Sequence, residues 1–138
     1  MKFSNSLLLG FIAASVSLVG FAQNPGHGTA QRDYYMFGGD SRNVYLGCIT
    51  CPAHDSESVS NPYGTYGSPY AYESIFNDNG PYGSQNHSTS ACSAHASNPP
   101  VIYDEDKIFI GYLTRNPYKS EKAQGFNGLL ERACGPVH

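Results

Sequence analysis

Ser58-Val59-Ser60-Asn61-Pro62-Tyr63-Gly64-Thr65-Tyr66-Gly67-Ser68 and Ser74-Ile75-Phe76-Asn77-Asp78-Asn79-Gly80-Pro81-Tyr82-Gly83-Ser84 follow one pattern, sixteen residues apart. In both, Ser precedes an aliphatic residue, Asn precedes Gly by three positions, and the copy closes on Tyr-Gly-Ser. A weaker third copy begins at Ser90, with Ala91 in the apolar place and Ser93 in the Asn place. Ser58 and Ser74 stand where a side-chain oxygen can cap a helical turn, and Asn61 and Asn77 suit Asx-turns or left-handed backbone. Gly64, Gly67, Gly80 and Gly83 permit reversals at positive φ, while Tyr66 and Tyr82 can bury a ring and keep the hydroxyl bonded. Compact loops are expected, with little regular structure. Copies this short and this few do not make a solenoid, so the pattern reads as an insertion on a small domain.

On the N-terminal side, Asn43-Val44-Tyr45-Leu46-Gly47-Cys48-Ile49 is β-branched and aromatic enough for a strand, and Tyr34-Tyr35-Met36-Phe37 either starts another or packs a tail. On the C-terminal side, Val101-Ile102-Tyr103-Asp104 and Lys107-Ile108-Phe109-Ile110-Gly111-Tyr112-Leu113-Thr114 predict a hairpin turning through Glu105 and Asp106. With the Val44 strand alongside, the hairpin makes a three-stranded antiparallel sheet. Residues 125–134 hold helix formers, with Asn127 as cap and Gly135-Pro136 as stop. The expected class is α+β: a small sheet, one C-terminal helix and a disulfide-stapled Tyr/Gly/Asn/Ser-rich insertion. Residues 43–138 form its single domain, with the sixteen-residue pattern over about 58–98 and a flexible segment, 23–42, before it.

Residues 1–22 combine Lys2, an apolar run from Leu7 to Phe21, and small residues before Gln23, the pattern of a cleaved secretory signal. The expected location is secreted or periplasmic, with no stable membrane insertion after cleavage. Eleven Tyr, fifteen Gly, nine Pro and no Trp describe a loop-rich chain. Residues 43–106 carry seven carboxylates and no Lys or Arg, a charge that repels phosphate backbones and excludes nucleic acid as a partner of this region.

Cys48, Cys51, Cys92 and Cys134 are even in number, which in an exported chain points to disulfides in one of three pairings. A link from Cys48 or Cys51 to Cys92 would close the insertion against the sheet, and the other would bring Cys134 back from the helix. Cys48-Ile49-Thr50-Cys51 also has the spacing of a redox dithiol, but Pro52 and a loop follow instead of a helix. Cys48, Cys51, Cys92 and His95 form an alternative zinc set, lacking a clear second ligand pair. His54, Asp55, His87 and His95 are candidates for hydrolytic chemistry, yet no Gly-x-Ser-x-Gly places a nucleophile. Glu57 and Glu73 read as solvated carboxylates. Asp78-Asn79-Gly80 and Asp104-Glu105-Asp106 offer oxygen ligands without a full calcium loop.

Gly47-Cys48-x-x-Cys51, the two Ser-to-Ser copies, Ser90-x-Cys92, and Pro99-Pro100-Val101-Ile102 leading into Gly111-Tyr112-Leu113-Thr114 carry a resemblance. Over residues 44–114 the chain resembles a family of small secreted bacterial proteins of uncharacterised function, whose modules also stand beside nuclease-like or other exported domains. The resemblance implies a fold and export, and brings no catalytic residue with it. The function expected is a non-enzymatic binding or structural module with no cofactor, its exposed Tyr, Asn and Ser suited to glycan, cell-wall or protein surfaces. The rival is a thiol- or metal-dependent enzyme, or a metal-binding protein, centred on Cys48, Cys51 and Cys92.

Overall fold

Two hairpins make the sheet, β1 (Tyr34–Gly38) with β2 (Val44–Cys48), and β3 (Val101–Asp104) with β4 (Phe109–Tyr112). They meet through β1 and β3, giving the antiparallel order β2-β1-β3-β4 in a computed structural model that describes residues 31–136. The class is α+β, but the sheet has four strands where three are expected. Tyr34–Gly38, placed by the sequence in a flexible segment ending at residue 42, is an inner strand that separates the Val44 strand from the second hairpin. It pairs on both sides because Tyr35 and Phe37 have an aromatic face to join and Met36 a core to fill. The signal expected over residues 1–22 lies outside the described residues.

The two hairpins correspond. Val44-Tyr45-Leu46-Gly47-Cys48-Ile49-Thr50 aligns without a gap on Ile108-Phe109-Ile110-Gly111-Tyr112-Leu113-Thr114, sixty-four positions later. Both pairs carry a bulge one residue from the glycine, and Met36 faces Gly47 as Ile102 faces Gly111. Met36 and Ile102 also face each other across the central seam, so an approximate two-fold axis passes between them.

The correspondence continues past the strands. Cys48 donates to Glu57 O and accepts from Val59 N, at 2.7 and 2.9 Å, while Tyr112 does the same with Glu121 O and Ala123 N, at 2.9 and 3.0 Å. These parallel bridges cover the ends of both edge strands, which would otherwise present bare backbone groups. Each carries an apolar residue, Val59 or Ala123, into the core. Gly47 and Gly111 sit at φ 109° and 151°, and a methyl group on either would meet the covering segment: Glu57 O and Tyr66 at one edge, Glu121 O and Ala123 at the other.

Between the hairpins the chain runs in stacked turns that cover the inner face of the sheet. Val59, Ile75 and Ala91 are at most 1 % exposed and join Met36, Leu46 and Ile102 in one cluster. The stretch is therefore half of the core and not an insertion upon it. Ser58, Ser74 and Ser90 accept from the N–H two residues on, at 3.0–3.1 Å, making hydroxyl turns instead of helix caps. Asn61 and Asn77 accept from Tyr63 N and Asn79 N as Asx-turns, and their amides donate to Asp55 O and Ala71 O at 3.0 Å. Gly67 and Gly83 serve proximity, not positive φ, since a Cβ there would overlap the carbonyl oxygens of Asn61 and Asn77. Tyr82 is buried against Gly38 and Leu46, whereas Tyr66 lies half-buried on the other side of the sheet; neither hydroxyl bonds to another described residue.

Helix α1 (Asn127–Cys134) starts at Phe126 with no side-chain cap, so Asn127 is its first residue and not its cap. Leu129 reaches the core, Phe126 packs edge-on against Tyr34 at 5.3 Å, and Arg132 lies over the Phe76 ring at 5.5 Å. Arg115 fastens the far end by donating to Cys134 O and Gly135 O.

Two measurements follow from this packing. Gly83→Ala should lower stability by about 2–3 kcal/mol in urea unfolding, because the overlap is with backbone that cannot rotate away. Gly128→Ala, in the helix, whose added methyl meets no atom within 4 Å and whose φ is not positive, should not lower stability. In the chain-entropy model, removing the Cys92–Cys134 link across 42 residues should cost about 4 kcal/mol, and removing Cys48–Cys51 across 3 about 1.6 kcal/mol. Equal losses from the two double-serine variants would contradict the assignment of the long link as the main staple.

Candidate functional site

The outer face of the sheet is aromatic from edge to edge. In antiparallel pairing, partners project to the same side, and the register sets Phe37 opposite Tyr45, Tyr35 opposite Tyr103, and Tyr103 opposite Phe109. Their rings meet edge-to-face in sequence across the strands: Tyr45 to Phe37 at 5.3 Å, Phe37 to Tyr103 at 5.9 Å, and Tyr103 to Phe109 at 5.9 Å. Tyr66 extends the row beyond β2, 5.0 Å from Tyr45, and Tyr112 extends it along β4, 5.3 Å from Phe109. The four central rings are half-buried, each presenting part of its surface outward. Such pairs prefer this tilted packing because the electron-rich face of one ring attracts the positive edge of the next.

An open cleft of about 570 Å³ lies over this face, lined by Tyr35, Phe37, Tyr45 and Tyr103 with Glu57, Asp104, Glu105, Arg42 and Lys107 around it. Glu57 accepts a hydrogen bond from the Tyr45 hydroxyl at 3.0 Å. Burial is the first cause of the Tyr45 phenol standing well above its ordinary value, and the bond to Glu57 is the second. Tyr35 and Tyr66 are raised too, by burial first and then by the surrounding carboxylates. Arg42, at the margin of the cleft, donates to the Tyr112 hydroxyl and lies over its ring at 5.0 Å, while Lys119 approaches the same ring to 4.5 Å. Asp104 accepts from Asp106 N and Ile108 N and pairs with Arg32 at 2.9 Å, so it shapes the hairpin turn and leaves Glu105 free. That bonding occupies the carboxylate considered from sequence as a calcium ligand.

The cysteines do not form one centre. Cys48 bonds to Cys51, at the edge of the aromatic face, and Cys92 bonds to Cys134, tying the third turn to α1. Of the three pairings that the sequence leaves open, the fold adopts the one without a link from Cys48 or Cys51 to Cys92; the parallel bridge holds the first turn on β2 in its place. With all four sulfurs in disulfides, neither the Cys48, Cys51, Cys92 thiol centre nor the zinc set completed by exposed His95 is assembled, and among the described residues no group of three His, Cys, Asp or Glu is placed to hold a metal. Ser58, Asn61, Gly64, Ser74, Asn77, Gly80 and Gly83 build turns. Of the pattern residues, only Tyr66 reaches the aromatic row. Sequence reasoning passed over Phe37, Tyr103 and Phe109 as site residues, because they lie on three strands and no local spacing joins them.

No family model, curated protein or solved structure matches the chain.

The raised phenols predict an alkaline signature. A tyrosine whose folded value exceeds its unfolded value of about 10 contributes stability that is whole below pH 10 and lost as pH climbs through the folded value. Phenolate absorbance should therefore show a delayed group, ionising above the ordinary phenol range, that includes Tyr35, Tyr45, Tyr66 and Tyr82, with unfolding midpoints falling over that phase. Tyr45→Phe should remove one ring from that phase; an unchanged delayed amplitude would count against both the burial of the Tyr45 phenol and its bond to Glu57.

Proposed function

We propose that this chain is an exported, non-enzymatic binding module whose contact surface is the outer face of the sheet and whose partner is a neutral glycan. The observation that carries the reading is the half-buried aromatic row from Tyr45 to Phe109, of which Tyr45, Phe37 and Tyr103 line an open cleft and Phe109 continues the row beyond it. A sugar ring offers slightly positive C–H groups on one face, which complement the electron-rich face of an aromatic ring, and hydroxyls around its rim, which need charged or polar partners. Glu57 and Glu105, against Lys107, supply partners of both signs with an excess of a single negative charge, which disfavours an anionic ligand.

Two further features favour a ligand on the face. Recognition by strand addition needs a free edge, and the ends of both β2 and β4 are covered by parallel bridges. The face also lacks the basic excess that phosphate binding requires. Export is supported by the signal-like residues 1–22 and by four cysteines held in two disulfides, the state an oxidising compartment maintains.

The test is co-sedimentation of the purified protein with insoluble neutral polysaccharides such as cellulose, chitin and xylan. The native protein should pellet with at least one of them, unaffected by salt, because stacking and hydrogen bonding are screened little. Tyr103→Ala and Tyr35→Ala should stay in the supernatant, whereas Tyr63→Ala, altering a ring that is 96 % exposed and does not line the cleft, should pellet normally. Retention that disappears in salt, or that survives loss of Tyr103, would overturn the assignment.

A further inference from the structure

We infer that the ligand is an extended polysaccharide lying across the strands and engaging about three consecutive sugars, an inference that rests on the glycan reading above. The two-fold relation of the hairpins is the first reason. Phe37 and Tyr45 in one hairpin correspond to Tyr103 and Phe109 in the other, so the face presents one stacking unit twice, joined at the axis by the Phe37–Tyr103 contact. A duplicated surface matches a ligand that itself repeats. Four strands spaced by ~4.8 Å place about 14 Å between β2 and β4, close to the length of about three hexoses in an extended chain.

The placement of polar groups is the second reason. The middle of the row, Phe37 and Tyr103, has no charged side chain between its rings, whereas Glu57 stands beside Tyr45 and Glu105 and Lys107 stand at the turn joining β3 to β4. A single sugar stacked at the centre would lose water from hydroxyls that find no partner, a cost comparable to the stacking it gains. A longer chain keeps the central stack and brings its outer hydroxyls to the charged margin. The continuity of the rings also disfavours a branched ligand, whose side residues would be lifted off the face.

Calorimetric titration with β-1,4-linked glucose and N-acetylglucosamine oligomers, from the monomer to the hexamer, tests this. Affinity for the polymer type that binds should rise at least tenfold from dimer to tetramer and level off beyond it. Phe109→Leu keeps the apolar volume on β4 but removes the π face; it should melt like the native protein and bind the tetramer no better than the dimer. Tyr45→Leu should do the same from the β2 end. A monomer that binds as tightly as the tetramer, or a length dependence intact in Phe109→Leu, would overturn the extended-chain inference while leaving glycan binding in place. Failure of every oligomer and every insoluble polysaccharide would instead remove the glycan reading, and this inference with it.

Discussion

The backbone of residues 48 and 112 governs the architecture. Each ends an edge strand, and each must find partners for an N–H and a C=O that the sheet does not use. Both find them in a segment arriving nine to eleven residues later, Glu57 to Val59 in one case and Glu121 to Ala123 in the other. The solution has two requirements. The preceding residue must be glycine, since the arriving carbonyl lies where a side chain would begin, and the arriving segment must be apolar one residue after its paired position. Once met, the same four hydrogen bonds cover the end of each edge strand and start the inner layer of the molecule.

From the first clasp the stacked turns follow almost without choice. Val59, Ile75 and Ala91 recur every sixteen residues on the core side, and the Ser and Asn side chains between them satisfy the backbone that no ladder serves. The tyrosines divide by side. Tyr82 fills the space left by Gly38 beneath the sheet, and Tyr66 reaches over the edge to the outer face. Tyr63 and Tyr118, both in Asn-Pro-Tyr turns of the same Asx geometry, point into solvent.

Much of this was legible in the sequence, for local reasons. The hairpin of β3 and β4, the β2 strand, the Asx-turns and the short helix each depend on neighbours within a few residues. Strand β1 was not, because Tyr34-Tyr35-Met36-Phe37 is apolar throughout and shows no alternation; with core on one face and aromatic rings on the other, none is required. The cysteine pairing was hidden because it is decided by where the turns bring Cys92, which composition does not express. The correspondence of the hairpins was present in the letters but masked where it matters most, since the position held by Tyr112 in one is Cys48 in the other. The aromatic row could not be read as a site, for its members lie on four strands separated by the whole stack of turns.

The central seam has a kinetic meaning. Each hairpin joins residues close in sequence and can form early, but β1 meets β3 only between positions such as Met36 and Ile102, with the entire stack of turns between them. Closing so long a loop carries a large entropic cost that is offset only when the turns have already condensed. The hairpins should thus behave as two preformed halves awaiting a scaffold, and the axis that relates them is the last part of the sheet to assemble. The aromatic row crosses that axis at Phe37 and Tyr103, so the continuous surface comes into existence in the final step of folding, and no partly folded form displays it whole.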